Sequence, residues 1–251
     1  VISNLDTKKP FSKERIDILL TKRGLVESRQ KAQALILAGK VIANGKEITK
    51  AGELISVDSK ISVKENLFPF VSRGGIKLQK AIIEFNVNVK GLKCLDIGAS
   101  TGGFTDCLLQ NGVEKVVSLD VGKNQIHERL KDDKRVFIIE EYNARFLKKE
   151  DLPFDIDLVV IDVSFISLKI ILKAVKEALP SARVIALVKP QFEAGKEKVG
   201  KGGVVRDEKT KANVVESVKN FARSIGYQIS GETISPIKGP KGNEEFLLYL
   251  T

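Results

Sequence analysis

The chain of 251 residues has no methionine, no tryptophan, one histidine, two cysteines and three tyrosines. These shortages remove whole classes of chemistry. With His127 alone, neither a histidine-based catalytic triad nor a histidine-rich metal site is supported, and a general base has to come from lysine, aspartate or glutamate. Cys94 and Cys107 lack metal-knuckle spacing and lie in or beside apolar segments, so they read as reduced packing residues and no metal is expected. No apolar run reaches the ~18 residues that a membrane-spanning helix needs, and the first residues lack the apolar centre of a signal peptide. The expectation is a cytoplasmic protein with no stable membrane association. Internal repeats and low-complexity tracts are missing too. The sequence starts at Val1 without an initiator, which leaves open what precedes it.

What the chain does have is positive charge, +10 in all. Residues 1–66 hold 13 basic and 8 acidic side chains and the other 185 hold 29 and 24, so the first quarter is about three times as basic per residue. That imbalance points to a polyanion, with nucleic acid as the expected partner. A solvated basic surface would give the same balance, and charge alone does not separate the two. A hydrophobic content of 43% with 29% charged residues suits a globular protein, and the length suits one large domain or a large and a small one.

The basic quarter has its own pattern. Ile16, Leu19 and Leu20 recur at helical spacing over 13–23, ending in Lys22-Arg23-Gly24. Ser28 is placed to cap a second helix, 29–38, with Ala32, Leu35 and Ile36 inward and Gly39 at its end. Val41-Ile42-Ala43, Asn44-Gly45 and Lys46-Glu47-Ile48 read as a hairpin, because Asn-Gly favours the primed turn, and 60–64 as a third strand. The motifs Arg15-Ile16-Asp17, Ser28 to Ala32, Gly39-Lys40-Val41 and Ala43-Asn44-Gly45 resemble the S-four-type RNA-binding domain of a small-subunit ribosomal protein, pseudouridine synthases and tyrosyl-tRNA synthetases. The resemblance implies that Arg23, Arg29, Lys31 and Lys40 face RNA backbone. Such contacts position RNA more than they read it.

Residues 95–104, Leu-Asp-Ile-Gly-Ala-Ser-Thr-Gly-Gly-Phe, join an apolar strand (92–97) to a helical pattern that starts at Thr105. The glycines let the backbone turn sharply and let a nucleotide-like group approach. The spacing matches neither G-x-G-x-x-G nor a Walker loop, and Asp96 would repel a phosphate. From here strands alternate with helices. Residues 116–119, 135–139, 158–161 and 184–188 are strand candidates, which predicts an α/β fold with a mainly parallel, doubly wound sheet. Residues 228–233 and 245–250 are expected to form an antiparallel hairpin on its edge. Asp120 ends the second strand where an acid commonly takes both ribose hydroxyls, and Asn143 could bond an adenine edge or simply serve a turn. An adenosine cofactor without phosphate contacts fits, as S-adenosylmethionine does. Asp162 and Lys189 end the fourth and fifth strands on the same edge. A lysine there is costly unless it is partnered, deprotonated or snorkelling to solvent.

Six ordered motifs, Ser72 to Leu78, Asp96 to Asp106, Asp162 to Leu168, Val188 to Gly195, Gly200 to Arg206 and Gly239 to Phe246, are similar to the TlyA family. Its members are described as hemolysins and as ribosomal RNA 2′-O-methyltransferases with a catalytic domain like that of the FtsJ group. The resemblance implies a Rossmann-like class I methyltransferase domain over 73–251, a small α+β RNA-binding domain over 10–66 and a linker at 67–72. It implies a tetrad of Lys77, Asp162, Lys189 and Glu245, the last preferred to Glu244 because it precedes the aromatic. S-adenosylmethionine would meet Asp96, Gly98, Ala99, Ser100, Thr101, Gly102, Gly103 and Phe104, with Asp120, Asn143 and Asp162. The partner would be ribosomal RNA or a ribosomal subunit, methylated at a cytidine ribose. Residues 193–206, with Lys196, Lys198 and Lys201, read as a mobile basic loop that contacts RNA, and Arg73 as a residue of the interdomain hinge. Two rivals stand beside this reading: a membrane-active hemolysin, and a non-catalytic RNA-binding or ribosome-assembly protein that keeps the cofactor pocket.

Overall fold

The structure, a computed structural model, describes residues 12–26, 28–63 and 69–251. Residues 10 and 11 of the expected first domain, Lys64 of its expected last strand and positions 67 and 68 of the expected linker lie outside the described residues. The chain divides into two compact units, Val1–Leu67 and Phe68–Thr251. Among the described residues no helix is long and apolar enough to cross a membrane.

The first unit contains β1 (Lys13–Arg15), α1 (Ile16–Lys22), α2 (Arg29–Leu37), β2 (Val41–Ala43), β3 (Lys46–Ile48), β4 (Leu54–Ser56) and β5 (Ile61–Val63). Residues 13–15 were expected to open the first helix and are extended instead. They pair antiparallel with β4, Lys13 opposite Ser56 and Arg15 opposite Leu54, a partner some 40 residues away that local periodicity does not show. The hairpin and the cap are as expected. Asn44 and Gly45 both have positive φ (51° and 80°), as a type I′ turn needs, and Ser28 accepts a hydrogen bond from the Lys31 amide. Ile16, Leu20, Ala32, Ile36, Val41 and Ile48 form the core.

One carboxylate is buried beside that core. Asp17 accepts from Arg15 Nε and Nη2 at 3.0 Å, and from Arg29 Nε and Gln33 Nε2 at 2.9 Å. The bonded Arg15 guanidinium, aided by Gln33 and Arg29, holds the Asp17 carboxyl well below the usual range despite burial. A depressed folded-state pKa contributes stability that is present above the unfolded value, about 4, and is lost as pH falls below it. Asp17→Asn is expected to cost about 2 kcal/mol at neutral pH, with the difference from the parent shrinking below pH ~4. Hydrogen exchange of α1 and α2 amides checks this, and a difference independent of pH would refute it.

The second unit is a seven-stranded sheet between two helical layers. Its elements are α3 (Gly74–Glu84), β6 (Lys93–Ile97), α4 (Gly103–Gln110), β7 (Lys115–Leu119), α5 (Glu128–Lys131), β8 (Val136–Ile139), β9 (Leu158–Ile161), α6 (Leu168–Ala178), β10 (Arg183–Val188), α7 (Pro190–Glu193), α8 (Glu208–Ser224), β11 (Ile229–Ile234) and β12 (Phe246–Leu250). Strand order is β11-β12-β10-β9-β6-β7-β8. β6 to β10 are parallel, while β12 runs antiparallel to both β10 and β11, which is the expected edge hairpin.

Period-two alternation assigns the strand residues to the two faces. Leu95, Val159, Ile161, Val184 and Ala186 meet α6 and α8, while Cys94, Leu158, Val160, Ile185 and Leu187 meet α3 and α4. Both cysteines are free and buried in that second layer, where desolvation pushes the Cys94 thiol up to about 12. They are packing residues. After β6 the chain winds one way through β7 and β8, and then returns to lay β9 and β10 on the other side of β6. This reversal leaves a crevice between the carboxyl ends of β6 and β9, where open α/β sheets take their ligands.

Candidate active site

The crevice opens into a cavity of about 480 Å³ whose walls include Gly98, Ser100, Asp120, Asn143, Asp162 and Ser164. Gly98 is required there. Its φ is 84°, and a Cβ would lie 2.5 Å from the Asp162 carbonyl oxygen, so only glycine lets β6 and β9 turn this close together. Leu119, Val121, Ala144, Ile166 and Ile171 supply apolar wall. Apolar walls with a few placed polar groups suit a planar base and a sugar, and the acids suit a cationic ligand.

Of the eleven residues expected to meet the cofactor, Gly98, Ser100, Asp120, Asn143 and Asp162 line this cavity. Ala99, Thr101, Gly102, Gly103, Phe104 and Asp96 lie outside its lining. Phe104 is buried in the layer beneath the sheet, and a Cβ on Gly103 would lie 2.1 Å from Ser72 Oγ and 3.0 Å from the Gly75 amide nitrogen. The second half of the glycine motif therefore seats α4 against the start of α3. Asp120 accepts from the Ser100 amide (2.8 Å) and the Gly122 amide (2.7 Å), which fixes its carboxylate at the cavity wall. Asn143 accepts from the Arg145 amide (3.2 Å), so it serves a turn while also lining the cavity.

Asp96 sits beneath the turn, fully buried. Its Oδ2 accepts from the Thr105 amide (2.9 Å) and hydroxyl (2.7 Å), and its Oδ1 has no hydrogen-bond partner. Desolvation pushes its pKa up to about 7, the bonds from Thr105 oppose the rise, and the charges of Asp162 and Asp120 add to it. Because the folded value lies above the unfolded one, stability is full below pH ~4 and is lost as pH rises towards 7.

Four charged side chains meet beside the cavity. Lys77 projects from α3, Asp162 follows β9, Lys189 follows β10, and Glu245 precedes β12. The antiparallel register places Val188 opposite Phe246, and this brings Lys189 and Glu245 to the same sheet edge. Lys189 Nζ lies 2.6 Å from Asp162 Oδ1, Lys77 Nζ lies 4.0 Å from Asp162 Oδ2, and Lys77 donates to Glu245 Oε2 at 2.5 Å. Signs alternate along the chain, Lys189, Asp162, Lys77, Glu245. Glu245 is 1% exposed, and removing one member would strand a buried charge, which costs several kcal/mol. Glu244 points elsewhere, to Lys211 at 3.4 Å. Pro190 at the first position of α7 turns the backbone immediately after Lys189. Glu193 then accepts from the Leu168 amide (2.6 Å) and the Ser167 hydroxyl (2.7 Å), tying α7 to the start of α6.

Three neighbours lay outside the sequence-based site. Ser164 Oγ accepts from Lys189 Nζ at 2.8 Å. Phe165 has positive φ (63°) and is 91% exposed, with its ring 5.1 Å from that of Phe192. Asn243, buried, accepts from the Val205 amide (3.0 Å) and donates to the Gly203 carbonyl (2.8 Å). The last pair ties local structure into 193–206, the segment read from the sequence as a mobile basic loop. The segment holds a helical end at Glu193, a 3₁₀ turn at Lys196–Lys198 and a Gly200–Val204 bridge, with Asn243 clamping its far end. Asp162-Val163-Ser164-Phe165 was legible as a motif, but only folding shows which of its side chains reaches Lys189.

The expected RNA-facing residues are scattered. Arg23 donates to the Ser59 carbonyl (2.7 Å) and the Val57 carbonyl, and Arg29 binds Asp17 while about half its side chain stays exposed. Both therefore hold their own unit together. Lys31 lies on α2, and Lys40 follows that helix, half-buried. Arg73 donates to the Lys238 carbonyl (2.8 Å), within the second unit. Lys198 and Lys201 are exposed, and the Lys196 side chain lies outside the described residues.

A family model of FtsJ-like methyltransferases matches residues 70–251, and one of the S4 domain matches residues 14–61. The 16S/23S rRNA (cytidine-2′-O)-methyltransferase TlyA of Mycobacterium tuberculosis is 44% identical over 94% of this chain and 89% of its own length. The chain belongs to the TlyA family. Hemolysin A of Brachyspira hyodysenteriae, another relative, is 44% identical over 94% of this chain and 98% of its own. A solved hemolysin structure from Streptococcus thermophilus, 44% identical, superposes with a TM-score of 0.76 over 96% of this chain and 89% of that one. The TlyA-family chain is thus an FtsJ-like methyltransferase with an N-terminal S4 domain, and S-adenosylmethionine is its cofactor.

The buried acid under the glycine turn gives a pH test. Asp96→Asn is expected to flatten the fall in stability that the parent shows between pH ~4 and ~7, a change of at most about 4 kcal/mol. Denaturant midpoints measured across that range check it. Parallel curves would contradict the placement of an ionisable carboxyl there.

Proposed function

We propose that this enzyme methylates a ribose 2′-hydroxyl of ribosomal RNA, at a cytidine, in the cytoplasm. Residues 10–66 engage RNA, 67–72 link, and 73–251 carry out catalysis. The observation that carries the reading is the largely buried chain Lys189–Asp162–Lys77–Glu245, with Asp162 half-buried, at the lip of an acid-lined cavity.

When bound, S-adenosylmethionine supplies a methyl group already activated by its sulfonium charge, so no metal is needed for the transfer. Asp120 and Asn143 hold the adenosine at the cavity wall. Gly98 and Ser100 shape the turn that admits it, with Asp96 and residues 99 and 101–104 supporting that turn from behind. Asp162 has one oxygen on Lys189 and faces the cavity, where its charge complements the sulfonium. A ribose hydroxyl is a poor nucleophile until something takes its proton. Lys189, held by Asp162, orients that hydroxyl and accepts the proton. Glu245 fixes Lys77, and Lys77 keeps the second oxygen of Asp162 from turning away. Positioning supplies much of the rate because the methyl donor needs little further activation.

Substrate contacts follow from charge and exposure. Arg23, Arg29, Lys31 and Lys40 of the first unit, with Arg73, Lys196, Lys198 and Lys201 of the second, engage phosphates and place the RNA. The exposed ring of Phe165 offers a face on which an unstacked base can lie beside the tetrad.

Two outcomes are expected. Lys189→Ala lowers methyl transfer to ribosomal RNA by at least ~10³-fold while calorimetric binding of S-adenosylmethionine persists, and full methylation by this variant would sink the mechanism. Phe165→Ala raises KM for RNA about tenfold, as loss of one base–aromatic stack should, with little change in cofactor affinity. Steady-state kinetics with varied RNA check it, and an unchanged KM would remove the ring from the substrate site.

A further inference from the structure

Ser164 stands two residues beyond Asp162, at the cavity lip, and its Oγ lies 2.8 Å from Lys189 Nζ. The position is built rather than incidental. The Asp162 amide donates to the Ile97 carbonyl at 3.0 Å, and the Asp162 carbonyl is packed against Gly98 so closely that no Cβ would fit. Phe165, in the left-handed region, turns the chain immediately afterwards. The backbone on both sides of Ser164 is thereby fixed, and its hydroxyl reaches the head of the lysine that ends the neighbouring strand.

Lysine in its amine form carries two hydrogens and one lone pair on a tetrahedral nitrogen. Asp162 Oδ1, 2.6 Å away as a charge contact without hydrogen-bond geometry, draws one of those hydrogens to its side and repels the lone pair from it, and Ser164 Oγ accepts the other hydrogen. With Cε on a third vertex, the lone pair has only one direction left. Asp162 alone would leave two rotational states of the head, one with the lone pair turned to where Ser164 stands. Resting on the reading of Lys189 as the proton acceptor, we propose that Ser164 is a positioning residue that fixes the Lys189 lone pair towards the substrate hydroxyl. In the step it serves, the hydroxyl proton passes to Nζ as the oxygen–carbon bond forms. The carbon–sulfur bond breaks, and its electron pair stays on sulfur. Lys189 ends as the ammonium and the ribose oxygen as a methyl ether, so atoms and charge balance.

The test uses the full chain with Ser164→Ala, Ser164→Thr and Lys189→Ala. Ser164→Ala is expected to lower kcat about tenfold, the equivalent of one modest hydrogen bond, with KM for RNA and Kd for S-adenosylmethionine within about twofold of the parent. Ser164→Thr, which keeps the hydroxyl, restores kcat. A second readout does not depend on turnover. In cofactor-free protein with ¹⁵Nζ-labelled lysine, the Lys189 Nζ–H correlation, identified by its loss in Lys189→Ala, should be present in the parent and in Ser164→Thr. It should be broadened away in Ser164→Ala, whose lysine head has lost one anchor. The inference is overturned by an unchanged kcat, by a change confined to KM or Kd, or by a fall in kcat with an unaltered Lys189 signal. Full activity in Lys189→Ala overturns instead the reading beneath it, so the two failures are distinguishable.

Discussion

Two lysines and a glutamate cannot be buried around a half-buried aspartate unless each finds an opposite charge, and the second unit is arranged around meeting that demand. Lys77, Asp162, Lys189 and Glu245 come from one helix and three strand ends that are distant in sequence. β12 runs antiparallel in an otherwise largely parallel sheet, and it brings Glu245 to the same edge as Lys189. Without Glu245, Lys77 would lack its closest partner; without Lys77, Asp162 would keep only Lys189. A buried pair of this kind adds little to net stability against an apolar alternative, but breaking it is costly. Its retention is best understood through what it does for chemistry.

The cavity and the charge chain meet at Asp162. Gly98 brings the first strand's turn against the Asp162 backbone, Asp120 and Asn143 stand on the cavity wall, and the side chain of Asp162 faces the lysines. In the proposed mechanism one residue thus joins the place where the methyl donor binds to the place where a proton is removed. Electrostatic preorganisation of this type acts before substrate arrives and needs little rearrangement in the reaction. Phe165 follows Asp162 by three residues, and Asn243, which clamps the basic segment, precedes Glu245 by two, so the proposed substrate contacts share the framework of the chemistry.

Much of this was readable from residues whose behaviour is local. Asn44-Gly45 specifies its turn, Ser28 its helix start, and the run from Leu92 through Thr105 a strand, turn and helix, because each signal sits within a few residues of its effect. The pairing of Lys13–Arg15 with Leu54–Ser56 was hidden, since three-residue strands have no periodicity and their partner is remote. The glycine motif was legible as a turn but not in its division of labour. Gly98 faces the cavity, whereas Gly103 and Phe104 serve packing, a distinction made by α3 rather than by the motif. Arg23 and Arg29 carried the right charge for RNA, yet each is also bound within its own unit. The tetrad came from the resemblance, and its geometry from the sheet.

The most direct test of the account is the chemical identity of the product. Unmethylated ribosomal RNA incubated with the enzyme and isotopically labelled S-adenosylmethionine, then digested to nucleosides for mass spectrometry, is predicted to yield label in 2′-O-methylcytidine. Label on a base, or RNA left unlabelled by an enzyme that binds both cofactor and RNA, would contradict it.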